Sequence, residues 1–177
     1  MTGRDGGLNA LVRRACPCDE APVLELYPLA FPGEELRPLI RRLWADDVDM
    51  LVAEVSGSIA GHIAFSACRI DGADGQAALL GPLAVHPAHQ RRGLGRALID
   101  AGLAGLRDSG VLVCCVLGDP AYYGRYGFRA EAGLAPPYRL SEAWRPAWQS
   151  LTLGQDAVPE GKLTVPEAWR DPALWAP

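Results

Sequence analysis

The segment from Leu83 to Leu98 constrains this chain more than any other. An apolar strand, Leu-Ala-Val, passes through a polar turn rich in arginine and glycine and opens directly into a helical pattern. A strand that feeds a helix through glycines leaves several backbone N–H groups unpaired, pointing one way at the positive end of the helix dipole. Such a place binds phosphate. Gly93 and Gly95 remove side chains that would block a close approach, and Arg91, Arg92 and Arg96 add charge around it.

Two common phosphate loops are excluded by the residues themselves. A P-loop ends in Gly-Lys-Ser or Gly-Lys-Thr, and no lysine precedes Lys162. A dinucleotide fingerprint needs a third glycine where this chain has Leu98. It also needs an acidic residue closing a second strand, whereas Asp119 opens a segment of proline and tyrosines.

What remains is Gln-x-x-Gly-x-Gly, from Gln90 to Gly95, directly after the Leu-Ala-Val-His-Pro strand. A second pattern follows downstream. The apolar run Val111 to Leu117 leads into Gly118, Asp119, Pro120, Ala121, Tyr122 and Tyr123, and closes as Tyr-x-x-x-Gly-Phe at Phe128. In this order the two patterns resemble the GNAT N-acetyltransferase superfamily: its acetyl-coenzyme A pyrophosphate loop, then its next strand and helix. The Leu-Gly-Asp-Pro-x-Tyr-Tyr stretch and the long tail resemble a bacterial subgroup of predicted N-acetyltransferases. The likeness spans residues 11–130 by element order and is motif-specific over 79–128.

The resemblance implies an α/β fold of GNAT type, with a mixed central sheet of six to seven strands flanked by helices. It implies acetyl-coenzyme A as co-substrate, no metal, and direct transfer of the acetyl group to a primary amine, small-molecule or peptide, in a ternary complex. The pyrophosphate would lie along Gln90, Arg91, Arg92, Gly93, Leu94, Gly95, Arg96 and Ala97. The pantetheine arm would run between two splayed strands, against the free main chain of Leu83, Ala84 and Val85 and past Gly118, Tyr123 and Tyr126. Tyr123 stands where the family keeps the general acid that protonates the departing thiolate, with Tyr122 and Tyr126 as alternatives. The chain departs from the family at Val116, where an asparagine is frequent. Glu25, Glu54, His62, His86 and Asp119 are conceivable bases, and none matches a motif. The alternative function is a non-catalytic acyl-coenzyme A-binding or sensing module.

Composition agrees with one domain large enough for a real core: 177 residues, 49% of them hydrophobic. A net charge of −4 argues against a nucleic-acid surface. No apolar stretch suits a signal peptide or a membrane span, so a cytoplasmic protein without membrane or nucleic-acid partners is expected. A homodimer is expected, since two-fold dimers are the commonest closed assemblies. The five cysteines do not follow a zinc pattern. Cys114 and Cys115 read as buried thiols, and Cys16-Pro17-Cys18 lacks the two-residue spacer of redox pairs.

Along the chain, residues 1–9 read as flexible and 10–177 as one domain, with 134–177 a proline- and tryptophan-rich extension packed on it. A first strand is expected at 11–15, then a helix capped by Asp19. Leu36, Leu39, Ile40, Leu43 and Trp44 form the buried stripe of a second helix, with Pro38 in its first turn. The period then changes to two, giving a hairpin around Ser56-Gly57-Ser58 and a strand from Ala77 to Val85. A helix over 95–108 should bury Leu94, Leu98, Ala101 and Gly105. Strands at 148–153 and 162–165 suggest a second hairpin. Trp144, Trp148, Trp169 and Trp175 suit a tail core or subunit contact better than a substrate cage, His62 and His86 suit packing, and His89 a solvated position.

Overall fold

The computed structural model describes residues 10–46, 48–73 and 76–176; the expected loose segment 1–9 lies outside the described residues. Strand β1 (Ala10–Arg14) leads through a short turn into helices α1 (Glu20–Ala30) and α2 (Arg37–Ala45). Pro38 falls in the first turn of α2, where its missing N–H would have no helical partner. Strands β2 (Asp49–Val55) and β3 (Ser58–Ile70) form the expected hairpin. Its two-residue turn, Ser56-Gly57, has positive φ at both positions (53° and 78°), which matches the twist of paired strands.

Strand β4 (Gln76–Val85), helix α3 (Leu94–Asp108), strand β5 (Val113–Leu117) and the single-turn helix α4 (Pro120–Tyr123) follow. The remainder supplies β6 (Arg129–Ala130), β7 (Leu134–Ala135), β8 (Trp148–Thr152) and β9 (Gly161–Thr164). The sheet runs β1-β2-β3-β4-β5-β8-β6, with β7 and β9 attached beside β3. Among the described residues that makes nine strands, more than the six to seven expected. Within the main path only β4 and β5 are parallel neighbours.

Two cores sit on the two faces of the sheet. One gathers α1, α2 and the tail around residues such as Tyr27, Ile40, Leu43, Trp148 and Trp175. The other lies under α3, where Leu98, Ile99 and Leu103 pack on Ile63, Phe65 and Cys114.

Several expectations are corrected. No hairpin joins the last two strands: β8 pairs with β5 and β6, whereas β9 pairs with β3 and β7. Helix α3 buries Leu94, Leu98, Ile99, Gly102, Leu103 and Leu106, and leaves Ala101 and Gly105 exposed. The larger apolar side chains therefore set the face, and of Ala101, Gly102, Ala104 and Gly105 only Gly102 is buried. Asp19 precedes α1, but its carboxylate accepts from the Arg13 guanidinium (2.7 and 2.8 Å) and the Cys16 N–H (2.8 Å) instead of capping the helix. A charged donor outcompetes an orphan amide, and Arg13 holds the Asp19 carboxyl below its usual range. Cys16 and Cys18 form a disulfide despite the single-residue spacer, because their Cα atoms are 5.3 Å apart, within disulfide reach.

Gly102 is the tightest contact between helix and sheet. A Cβ placed there would fall inside the buried ring of Phe65. Gly102→Ala gains roughly 1 kcal/mol of helix propensity and loses about 1–3 kcal/mol to overpacking. The expected net result is a lower denaturation midpoint in urea; an unchanged or higher midpoint would contradict this packing.

Candidate active site

The site begins where the parallel pair β4–β5 stops. Their register runs from Ala77↔Val113 to Leu80↔Val116 and no further. The next two residues of β4 are Gly81 and Pro82, opposite a register shift in β3 between Ile63 and Phe65. Pro82 has no N–H to give a neighbouring strand. Meanwhile the end of β5 is held by β8: Leu117 pairs with Trp148, the Gly118 N–H donates to the Ala147 carbonyl (2.9 Å), and Gln149 Nε2 donates to the Gly118 carbonyl (3.0 Å). The two strands therefore part.

Beyond the break β4 stays bonded to β3, and the His86 N–H donates to the Ala60 carbonyl (2.8 Å). Backbone groups alternate along a strand, so the N–H groups of Leu83 and Val85 point away from β3, into the gap. The Val85 carbonyl is not free as expected, because it accepts from Gln90 Nε2 (3.1 Å). Gln90 thus ties the loop to the strand.

At the mouth of the gap lies the start of α3. Its cap residue Gly93 has φ +88°, and Arg91 also has positive φ (58°). The first backbone bond of the helix is from the Ala97 N–H to the Gly93 carbonyl (3.0 Å). Among the described residues, the amides of Arg91, Arg92, Gly93, Leu94, Gly95 and Arg96 have no acceptor. Arg91, Arg92 and Arg96 are exposed, with Arg96 within 3.3 Å of Asp100. The result is an open cluster of N–H donors with surplus positive charge.

The three tyrosines around α4 are placed differently. Asp119 caps α4, accepting from the Ala121 N–H (2.8 Å), and Pro120 is its first residue. The turn lays the Tyr123 ring over Gly118, so closely that a Cβ at Gly118 would overlap it. Tyr122 points the other way, its hydroxyl against Gly95 at the start of α3. Tyr126 packs beside Tyr122, ring centres 5.5 Å apart. Burial pushes the Tyr123 phenol well above its usual value, and it holds its proton at neutral pH.

On the α1–α2 side the gap opens into a cavity of about 350 Å³. Its lining includes Leu83, Leu117 and Tyr123, Phe31 and Leu36 from the α1–α2 connection, and Trp144, Trp169 and Trp175 from the tail.

The comparisons with known proteins bear on this arrangement. Residues 46–130 match the family model for an acetyltransferase (GNAT) domain. The uncharacterized N-acetyltransferase YhbS of Escherichia coli K12 is 30% identical over 154 residues, 84% of this chain and 90% of that protein. The chain belongs to the GNAT family. A second E. coli K12 member, the uncharacterized N-acetyltransferase YjhQ, is 32% identical over 145 residues, or 76% and 80% of the two chains. The crystal structure of E. coli YhbS in complex with CoA superposes with a TM-score of 0.85 at 29% identity, over 96% of this chain and 97% of that one. A GNAT acetyltransferase from Brucella melitensis in complex with acetyl-CoA gives 0.74 at 33% identity, over 92% and 99%.

Against this GNAT framework the expected bases fall into distinct places. His62 is fully buried: its Nδ1 accepts from the Tyr27 hydroxyl (2.8 Å) and its Nε2 faces the Met50 sulfur (3.2 Å). A thioether can only accept, which puts the imidazole proton on Nε2. Glu54 pairs with Arg13, and His86 accepts from the Ala88 N–H (3.2 Å). Glu25 is exposed on α1. Asp119 alone of the five lines the cavity with Tyr123. His89 is half-buried with an unpartnered Nδ1, not fully solvated. Cys68, Cys114 and Cys115 are buried, and burial pushes the Cys68 thiol up to about 12.

Sequence reasoning missed the Gly81–Pro82 break and the aromatic wall. The break had a signal in the sequence, a Gly-Pro step inside a strand. The wall had only an excess of tryptophan in the tail.

Burial lowers His62 to about 3, opposed only by the attraction of Asp19. The unfolded value is near 6.5, so the stability of the neutral imidazole is present above pH 6.5 and lost as pH falls toward 3. Between pH 7 and pH 5 the fold should lose about 2 kcal/mol from this group. Urea unfolding at both pH values, with His62→Gln for comparison, checks it; an equal pH slope in the variant would rule His62 out as the cause.

Proposed function

We propose that the chain is an acetyl-coenzyme A-dependent N-acetyltransferase that passes the acetyl group directly to a primary amine. The observation that carries this reading is the parting of β4 from β5. It presents the amides of Leu83 and Val85 to a gap that has unpartnered helix amides at one end and Tyr123 beside it.

The pyrophosphate of the donor would sit on the amides of Arg91 to Arg96, drawn by Arg91 and Arg92. Its pantetheine arm would add to the open edge of β4 as a short strand. The thioester carbonyl would then lie near the Val85 N–H, a donor worth roughly 3 kcal/mol to a tetrahedral oxyanion when well aimed. An amine entering from the cavity attacks that carbonyl, the C–N bond forms, the C–S bond breaks, and coenzyme A departs as thiolate. Tyr123 donates its hydroxyl proton to that sulfur, and the proton shed by the attacking nitrogen as the amide forms restores the phenol. Burial keeps the phenol protonated, and the same dry surroundings raise the basicity of the thiolate. The Tyr122 hydroxyl lies instead against Gly95 at the start of α3, and Tyr126 packs beside Tyr122.

Two measurements test the reading. Tyr123→Phe should lower kcat for acetyl transfer by about 10²–10⁴ and leave the calorimetric affinity for coenzyme A nearly unchanged. A wild-type chain that binds the thioester without ever acetylating an amine would make it a sensing module. Gly95→Ala pushes a methyl group against the Tyr122 hydroxyl beside the anion site. Acetyl-coenzyme A should bind it at least tenfold more weakly at similar thermal stability; equal affinity would move the pyrophosphate elsewhere.

A further inference from the structure

The cavity beside Tyr123 has an unusual lining for a site that must admit an amine. Most of its lining side chains are apolar. The Trp169 indole N–H donates to Ser66 Oγ (2.8 Å), and the Trp175 N–H to the Trp169 carbonyl (3.0 Å). Both donors are consumed away from the cavity, so these two rings offer it apolar faces. Among the described residues lining it, Asp119 is the one charged group, and no lysine or arginine reaches it. Asp119 is exposed, which sets its carboxylate at the rim.

Each class of acceptor meets this lining differently. A polyamine or an amino sugar carries several polar groups, which would lose water and find no partner among the rings. An amino acid would bring a carboxylate up to that of Asp119. An acyl chain longer than acetyl would fit the apolar wall and gain nothing from the rim charge. A single ammonium on an apolar body suits both features: the charge meets Asp119, and the body meets Trp144 and Trp169.

We propose that the acceptor is a primary alkylamine or aralkylamine with one cationic nitrogen and an uncharged apolar body. The proposal rests on the acetyl-transfer reading above. The ammonium docks at Asp119, loses its proton to solvent at the open rim, and the neutral nitrogen moves inward to the thioester, while the body displaces water from the aromatic wall.

The full chain is assayed for coenzyme A release from acetyl-coenzyme A with n-alkylamines of increasing length, phenethylamine, spermidine and glucosamine. The expected result is a kcat/KM that rises about fourfold per methylene until the cavity is full. Spermidine and glucosamine should lie at least a hundredfold below phenethylamine. Asp119→Asn keeps a capping side chain for α4. It should raise the Michaelis constant for phenethylamine about tenfold and leave that for acetyl-coenzyme A unchanged. Better turnover of spermidine or glucosamine, a flat alkyl series, or preference for octanoyl- over acetyl-coenzyme A would overturn the proposal. Titration of phenethylamine into the chain saturated with coenzyme A, followed by tryptophan fluorescence, separates the two readings. Saturable quenching without turnover sustains the amine site and sinks the acetyl-transfer reading; absence of quenching sinks the amine site.

Discussion

The parting of two neighbouring strands shapes everything else in this molecule. In most sheets a parallel pair continues to the ends of its strands, because an unpaired edge leaves backbone donors and acceptors without partners. Here both strands are pulled apart by bonds they make elsewhere. β4 follows β3 past the Gly81–Pro82 step, and β5 is claimed by β8 through Leu117, Gly118 and Gln149. The gap is thus built in and does not wait for a ligand to open it. Its exposed edge is a template for an extended, amide-bearing chain, and a pantetheine arm is one.

The two faces of the sheet divide the remaining work. Under α3 the packing is tight enough to exclude a methyl group at Gly102, which fixes the direction of the helix and hence where its first amides point. On the opposite face the tail closes over α1 and α2. Trp148 and Trp169 each pack against Trp175, with ring centres 6.0 and 6.1 Å away. The same segment therefore completes a core and walls a cavity. His62 and Tyr27, one bonded to the other beneath Pro82, belong to that core, with every polar atom committed.

Local chemistry made much of this legible beforehand. The strand–turn–helix around Gly93, the cap and proline at Asp119–Pro120, the hairpin turn at Ser56-Gly57 and the stripe on α2 all encode structure within a few residues, and all are found as read. Longer-range choices were not readable. Which strands β8 and β9 join is decided by partners far away in the chain, so turn spacing suggested a hairpin that does not form. Asp19 looked like a helix cap because nothing local reveals that Arg13 lies across from it. The face of α3 was misjudged because small residues suggested close approach, whereas Ile99, Leu103 and Leu106 carry far more apolar area. The cluster of unpartnered amides at the start of α3 was legible because it is contiguous. The cavity was not, because it is assembled from the α1–α2 connection, the splayed strands and the tail.

Residue-resolved amide hydrogen exchange with and without acetyl-coenzyme A decides whether the donor occupies the gap. If it does, exchange slows at Leu83 and Val85 and at the amides from Arg91 to Arg96, with little change in β1 and β2. Unaltered exchange at those positions, alongside protection elsewhere in the chain, would put the donor in another place and undo the functional reading.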